Sequence, residues 1–548
     1  MVYYHLLVTA LLCSRFVGVQ ATQLSPDAFV KKEFDFIVIG GGTTGVALAT
    51  RISDNPSLTV GIIEAGQFLI DNNITIPGFY GRAFGNPNYD WNFVTEPDAR
   101  LNNRQMPLHR GKILGGTSAI NGMVHSRGSK TEYDAFQQLG IAVNRAMSSG
   151  DSAGIWTLNG GIDQKNVSRS YSANSYYLPN ASRKNLILLS GAQVTKIVTQ
   201  AKSGRVVATG VQFVSQRQTY TALVRGEVIV SAGAIQTPQI LELSGIGNKR
   251  LLESLSIPVK VDLPGVGENF HDHFGAILTF QTLSNFTGQD VLADPKGAEQ
   301  QLQQYLTNRT GMYTSLATTL AFLPMQDFVS PAVAVRLKAD LDGALKSQPA
   351  HFKQSFDLMR SWLDDHSVPQ VEIVLFPSLV TGPPEPGKRY YSVAVFLQHP
   401  WSRGSIHIKS ANPLAAPAIK GNYLGAPGDF DTKLLIEAIH WVLNVTQTEP
   451  LKSATVAALN PSLNATGADL RAFIAAGGST EWHLSGTASM LPRSQRGVVD
   501  AELKVYGTKN IRVCDNSILP VDIGTHPTAT LYGIAEQVAE ALRIGRWS

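Results

Sequence analysis

Two hydrophobic periods alternate along this chain. Phe34–Ile39 (FDFIVI) is a short apolar run rich in β-formers and stops at a glycine cluster. That is the pattern of a parallel strand buried on both faces. Val46–Ile52 then shows helical spacing, and Leu58–Ile63 (LTVGII) predicts a second strand, completing one βαβ unit. Leu186–Leu189, Ala208–Phe213 and Glu227–Val230 predict further strands of the same half. Residues 290–365 have helical character, clearest in Ala298–Leu306 and Val333–Leu345. Val371–Phe376, Tyr391–Leu397 and Ser405–Ile408 predict strands of a second sheet. Pro527–Arg543 is amphipathic, with Pro527 suited to the first helical position. With no repeat or low-complexity linker, the expectation is an α/β fold (α+β overall). One parallel-sheet unit is assembled from separated segments, and a sheet-and-helix unit is inserted between them.

Composition narrows the class. The chain has 548 residues, enough for two to four domains at about 100–200 residues each. A net charge of +4 is too balanced for a nucleic-acid binder, which needs a basic face. Charged residues are only 16%, against about 25% in an average soluble protein. Met1–Ala21 resembles a signal peptide cleaved after Ala21, and it is too short and broken to span a bilayer. No later segment is apolar enough to do so. Sequons stand at Asn73, Asn166, Asn180, Asn285, Asn308, Asn444 and Asn464, which favours a secreted glycoprotein and accounts for the low charge. Of the two cysteines, Cys13 lies in the leader, so the mature chain keeps only Cys514 and no internal disulfide.

The first chemical motif is Gly40-Gly41-Gly42-Thr43-Thr44-Gly45, a G-x-G-x-x-G after a strand and at the opening of a helix. Gly40 permits the tight turn, Gly42 lets backbone approach a pyrophosphate, and Gly45 lets helix and strand pack closely. Glu64 ends the next strand 19 residues after Gly45, where a carboxylate accepts hydrogen bonds from ribose hydroxyls. An acid at that position argues against a 2′-phosphate, hence against NADP. A second glycine-rich loop, Gly111–Gly122, offers backbone N–H donors at close approach. Gly233–Gly247 reads as a strand exit, a helix and a glycine stop, and Leu263–His273 follows it.

These ordered segments resemble the signature stretches of the glucose–methanol–choline (GMC) family of flavoprotein oxidoreductases, of the fungal secreted aryl-alcohol oxidase or dehydrogenase type. The resemblance runs from about Phe34 to Arg543. It implies non-covalently bound FAD, a discontinuous FAD domain (34–140, 184–270 and 478–548) and a substrate domain on an antiparallel sheet (141–183 and 271–477). It also implies FAD contacts from Gly40, Gly42, Thr43, Thr44, Gly45, Glu64 and Ala65, from Gly116, Asn121, Gly122, Met123 and Val124, and from Val194. Asp515, Asn516 and Thr528 are implied late in the chain, with Asp515 contacting the flavin chain. Ser479–Ala488 matches the stretch bearing the catalytic histidine, His483, and Thr525–Thr530 places the second catalytic residue at His526. An alcohol would lose a hydride to flavin N5 and a proton to histidine, with oxygen or a quinone reoxidising the cofactor. A helix beginning near Pro527 would aim its N-terminus at the flavin edge where negative charge grows on reduction.

Other readings carry less. His271 and His273 straddle Asp272, but no third partner in the sequence completes a metal site. Gly150-Asp151-Ser152-Ala153-Gly154 matches the nucleophile elbow of hydrolases, yet Asn144–Ser149 is not the apolar strand that an elbow requires. Hydroxynitrile lyases and a polyketide cyclase are non-redox relatives that bind FAD. One departure from the family pattern stands out. Gly140 runs directly into Ile141, joining two stretches that relatives keep apart, so a block of the substrate domain is missing. That puts the activity of this chain, though not its fold, in question.

Overall fold

The computed structural model describes residues 23–124, 153–157, 160–285, 287–288, 294–314 and 319–547. The leader, the Gly140–Ile141 junction and Gly150–Ser152 lie outside the described residues. Two seven-stranded sheets organise the rest. Their strands in chain order are β1 (Glu33–Ile39), β2 (Val60–Ile63), β3 (Gly154–Thr157), β4 (Leu186–Leu189), β5 (Gln193–Lys202), β6 (Arg205–Ser215) and β7 (Gln218–Val230). They continue with β8 (Phe274–Thr282), β9 (Thr319–Leu323), β10 (Val371–Phe376), β11 (Arg389–Leu397), β12 (Thr455–Asn460), β13 (Ser479–Thr480) and β14 (Ile511–Val513). Four helices matter for the site: α1 (Thr43–Ile52), α2 (Gly233–Leu243), α3 (Phe430–Val445) and α4 (Thr528–Arg543).

The first sheet has the order β4-β2-β1-β7-β6-β5, with β14 also paired to β7. β4, β2, β1, β7 and β14 run parallel, whereas β5, β6 and β7 form an antiparallel meander. The long β7 serves both halves. Its end, Val228–Val230, lies between β1 and β14, and its start pairs with β6. Phe34, Ile37, Val38 and Ile39 of β1 are buried, as a strand covered on both faces demands. Each such large apolar side chain contributes about 1.5–3 kcal/mol through burial. α1 packs against α4, so the two ends of the chain close one layer over this sheet.

The second sheet, β12-β8-β11-β10-β9-β3 with β13 on β8, is antiparallel throughout. One face carries the core that includes Leu434, Leu435 and Ile439 of α3. The other face carries Leu320, Phe322, Val374, Ala394 and Phe396, with Ile277 and Phe376 at its margin.

The α/β class and most elements agree with the sequence reading, and three placements change. Residues 290–365 hold helices at Pro295–Asn308, Pro331–Leu345 and Lys353–Trp362, but the strand β9 stands between them. Its five residues are all buried, and such a short apolar run carries no period that separates strand from helix. Ser405–His407 pairs with Ala418–Lys420 in a separate hairpin rather than joining the second sheet. Pro527 is the N-cap of α4, one residue before the helix. Among the described residues of 141–183, Ile155 lies in the core of the second sheet, whereas Tyr171, Ala173, Tyr177 and Ala181 lie in that of the first.

Candidate active site

A cavity of about 1100 Å³ lies between the two sheets, bounded by the β1–α1 turn, the Gly111–Gly122 loop, the start of α4 and the apolar face of the second sheet. Of the positions singled out from sequence, Gly40, Gly42, Thr43, Thr44, Glu64, Ala65, Gly116, Asn121, Gly122, Met123, Val124, Val194, Asp515, Asn516, Thr528, His483 and His526 all line it. Gly45 does not, and its role is packing: a Cβ there would stand 2.0 Å from the Gly40 carbonyl oxygen. Gly40 has φ +97°, the left-handed turn that starts the helix.

The Glu64 carboxylate accepts from Gly41 N (2.8 Å) and Gly66 N (2.7 Å), which fixes it at the end of β2. Burial raises it to about 7 despite those two bonds. Asp515, expected from the resemblance at the flavin chain, lines the same cavity. Its carboxylate accepts from Gly233 N (2.9 Å), Thr237 Oγ1 (2.6 Å) and Ser517 N (2.8 Å), so it caps the start of α2. Its side chain therefore positions α2 from a place on the cavity lining.

The catalytic candidates meet at the far end of the cavity. The His483 and His526 rings are 4.7 Å apart between centroids, at 82°. The His483 backbone N–H donates to Asp272 Oδ1 (2.8 Å), and Asp272 Oδ2 accepts from Tyr423 Oη (2.8 Å) and from the Thr480 hydroxyl. This buried carboxylate ties the His483 loop to the start of β8. Trp482 takes φ +61°, its N–H donates to Thr480 Oγ1 (2.8 Å), and its carbonyl accepts from Arg110.

Two carboxylates that sequence reasoning missed complete the cluster. Glu372, on β10, sits 2.9 Å by Oε1 from His526 Nε2 and accepts from Gln398 Nε2 (3.1 Å) by Oε2. Glu481 places Oε1 3.6 Å from His526 Nε2, and Oε2 3.4 Å from His483 Nδ1 and 3.5 Å from His273 Nδ1. The signals were a lone charge inside the apolar run VEIVLF and an acid two residues before the matched histidine. His273, set aside from sequence for want of a partner, finds two: its Nδ1 lies 2.9 Å from His483 Nδ1. Glu481 thus bridges two sets of groups, His273 with His483 and Glu372 with His526, the atoms of each set lying within 4.8 Å of one another.

Charge is divided unevenly. Burial pushes His483 down to about 3, with His526 and His273 adding to the effect and Glu481 opposing it. Burial also lowers His526, but Glu372 and Glu481 outweigh it and hold the ring above its ordinary value. Burial raises the Glu481 carboxyl, yet His526, His483 and His273 together keep it well below the usual range. Glu372 is raised to about 7 by burial and by Glu481, against His526. The two cavity imidazoles are thus shifted in opposite directions, His483 down and His526 up, while the buried His273 behind them is raised as well.

The glycine-rich β1–α1 turn and the His483–His526 pair line one cavity. Models of the GMC oxidoreductase family match residues 34–146 and 133–275 for the N-terminal part and 400–535 for the C-terminal part. A dehydrogenase of Armillaria gallica is 32% identical, covering 95% of this chain and 94% of its own. The GMC oxidoreductase family protein Mala s 12 of Malassezia sympodialis is also 32% identical, over 93% and 92%. An FAD-dependent oxidoreductase from Chaetomium thermophilum has the same fold, with a TM-score of 0.80 at 24% identity, covering 94% of this chain and 99% of that one. A fungal aryl-alcohol oxidase structure gives 0.80, also at 24% identity. The chain belongs to the GMC oxidoreductase family.

The cofactor is FAD, and the cavity fits it. A Cβ on Gly42 would have only the Ser231 carbonyl oxygen, at 3.9 Å, as neighbour, so the turn leaves room for a pyrophosphate. Ser231 Oγ and Asn516 Oδ1 are buried on residues lining the cavity and have no hydrogen-bond partner among the described residues. A polar ligand that satisfies such atoms removes a desolvation cost of about 1–3 kcal/mol each.

Proposed function

We propose that this chain oxidises an alcohol to an aldehyde or ketone, with His483 as the base and His526 as its partner. The observation that carries this reading is the His483–His526 pair, with ring centroids 4.7 Å apart, on the cavity lining beside the start of α4. A neutral imidazole can take the hydroxyl proton, and a cationic one can donate to the same oxygen and orient it. FAD, when bound, supplies the acceptor for the hydride. The α4 N-terminus, with Thr528 and Ala529 on the cavity lining and no side-chain cap, presents positive potential to the cavity. Leu320, Val374, Phe376, Ala394 and Phe396 line the substrate side, which supports a small apolar or aromatic alcohol rather than a sugar. Oxygen or a quinone is the proposed electron acceptor.

We also propose secretion and an internal deletion. All seven sequon asparagines are exposed or half-exposed, as glycan acceptors must be. The N-terminal family model matches in two segments that overlap at 133–146, across the Gly140–Ile141 junction. The Armillaria alignment runs over 608 positions while including 95% of a 548-residue chain, so the relative carries residues that this one lacks.

The test is anaerobic bleaching of the flavin band across alcohol classes, with His483→Ala beside the wild type. Bleaching in the wild type and none in a variant that still holds flavin is the expected result. Equal bleaching rates would remove His483 as base. Turnover with an unchanged flavin band would mark a non-redox relative of the lyase or cyclase kind.

A further inference from the structure

His273 is almost fully buried and does not line the cavity, yet its Nδ1 faces His483 Nδ1 at 2.9 Å. Only one hydrogen fits between two nitrogens at that distance. Its position has a chemical consequence. If it resides on His483, a neutral His483 has a bare Nε2, the nitrogen left for the cavity, and can act as base. If it resides on His273, a neutral His483 must carry its proton on Nε2 and can only donate there. Glu481 Oε2 lies almost equally far from both Nδ1 atoms, 3.4 and 3.5 Å, so the carboxylate favours a hydrogen on either one.

We propose that His273 is a positioning residue that sets which nitrogen of His483 is basic, and that protonation of His273, stabilised by Glu481, switches the base off. The proposal rests on His483 being the base. In the competent state, neutral His273 offers its Nδ1 lone pair to the His483 Nδ1 hydrogen, and the alcohol proton passes to His483 Nε2. When His273 gains a proton, its Nδ1 becomes a donor, and His483 turns an N–H toward the cavity instead.

The surroundings support titration of His273. Burial lowers it, but Glu481, Asp522 and Asp272 together raise it to about 9, so the competent neutral form gains population only as pH rises toward that value. His399 and His271 lie near enough to feel its charge, and both are pulled down, chiefly by burial. His526, with Glu372 behind it, faces Glu481 from the opposite side.

The experiment follows anaerobic flavin bleaching against pH in three holoproteins: wild type, Glu481→Gln and His273→Asn. Asn places an amide oxygen near the Nδ1 position and cannot be protonated. The wild type should show an acid limb, with bleaching lost as pH falls. Glu481→Gln removes the anion that stabilises protonated His273, so the limb should move to lower pH by about one to three units. In His273→Asn the limb should vanish. An acid limb unmoved in both variants, with their flavin spectra intact, overturns the proposal. Nitrogen NMR of histidine-labelled holoprotein reads the same event without turnover. The His273 resonances should titrate, shift in Glu481→Gln, and change the His483 tautomer as they do. A His483 tautomer indifferent to His273 protonation overturns the proposal at any rate of bleaching. If His483→Ala bleaches like the wild type while the tautomer coupling holds, it is the base assignment that fails.

Discussion

Glu372 Oε1 stands 2.9 Å from His526 Nε2, although one residue is on β10 of the second sheet and the other lies 154 positions later, at the entry to α4. The contact joins the two halves of the molecule at the site, and it predicts a pH effect. Glu372 holds His526 above its ordinary value, while burial pulls the other way. Glu372→Gln removes the raising influence, so His526 should lose its proton at lower pH. The alkaline limb of alcohol-dependent bleaching should then shift toward acid. The maximal rate should fall about 10- to 150-fold, matching the roughly 1.5–3 kcal/mol of a hydrogen bond to a charged group. Stopped-flow reduction across pH measures both, and an unmoved alkaline limb would show that Glu372 does not govern His526.

The glycine motif predicts two different failures three residues apart. Gly42 has φ −83°, and a Cβ there meets only one atom within 4 Å, so Gly42→Ala should fold with wild-type far-UV dichroism. The methyl group would occupy the approach of the pyrophosphate, so FAD should be lost on gel filtration. Gly45→Ala would put a Cβ 2.0 Å from the Gly40 carbonyl oxygen and 3.1 Å from Ser231 Cβ. That overpacking should destabilise the fold by about 3 kcal/mol or more, read as a lowered midpoint in denaturant. A Gly45→Ala protein as stable as the wild type would remove the packing role.

The difference between these two glycines shows what was legible beforehand. Strand, turn, helix and acid follow one another within 32 residues, so local periodicity and turn chemistry were enough to place the cofactor cradle. His483 and His526 were reached only through family resemblance, because nothing local separates them from other histidines. Glu372, Glu481 and His273 stayed hidden for a further reason. Their importance comes from distances of 2.9–3.6 Å between segments far apart in sequence, 210 residues between His273 and His483 and 154 between Glu372 and His526. Asp515 was reached through its motif, but the Gly233 and Thr237 donors that hold its carboxylate lie 282 and 278 residues earlier, and only the fold brings them to it.

The apolar wall makes a prediction about substrate choice. On β10, Glu372, Val374 and Phe376 share one face by the two-residue period of a strand, so a single charge and two apolar side chains point the same way. Glu372 is neutralised by contact with His526, whereas Val374 packs with Leu320, Ala394 and Phe396. Val374→Asp would add a carboxylate with no cation among the described residues of its cluster, and water or a polar substrate would have to solvate it. The ratio of kcat/KM for a benzylic alcohol to that for a polyhydroxy alcohol should then fall at least about tenfold, within the 1–3 kcal/mol that one pocket contact commonly controls. Val374→Ile, which keeps the wall apolar, should leave the ratio on the apolar side. If Val374→Asp lowers the values for both alcohols equally, the wall shapes the cavity without selecting by polarity. The reading of an apolar substrate would then have to rest on some other surface.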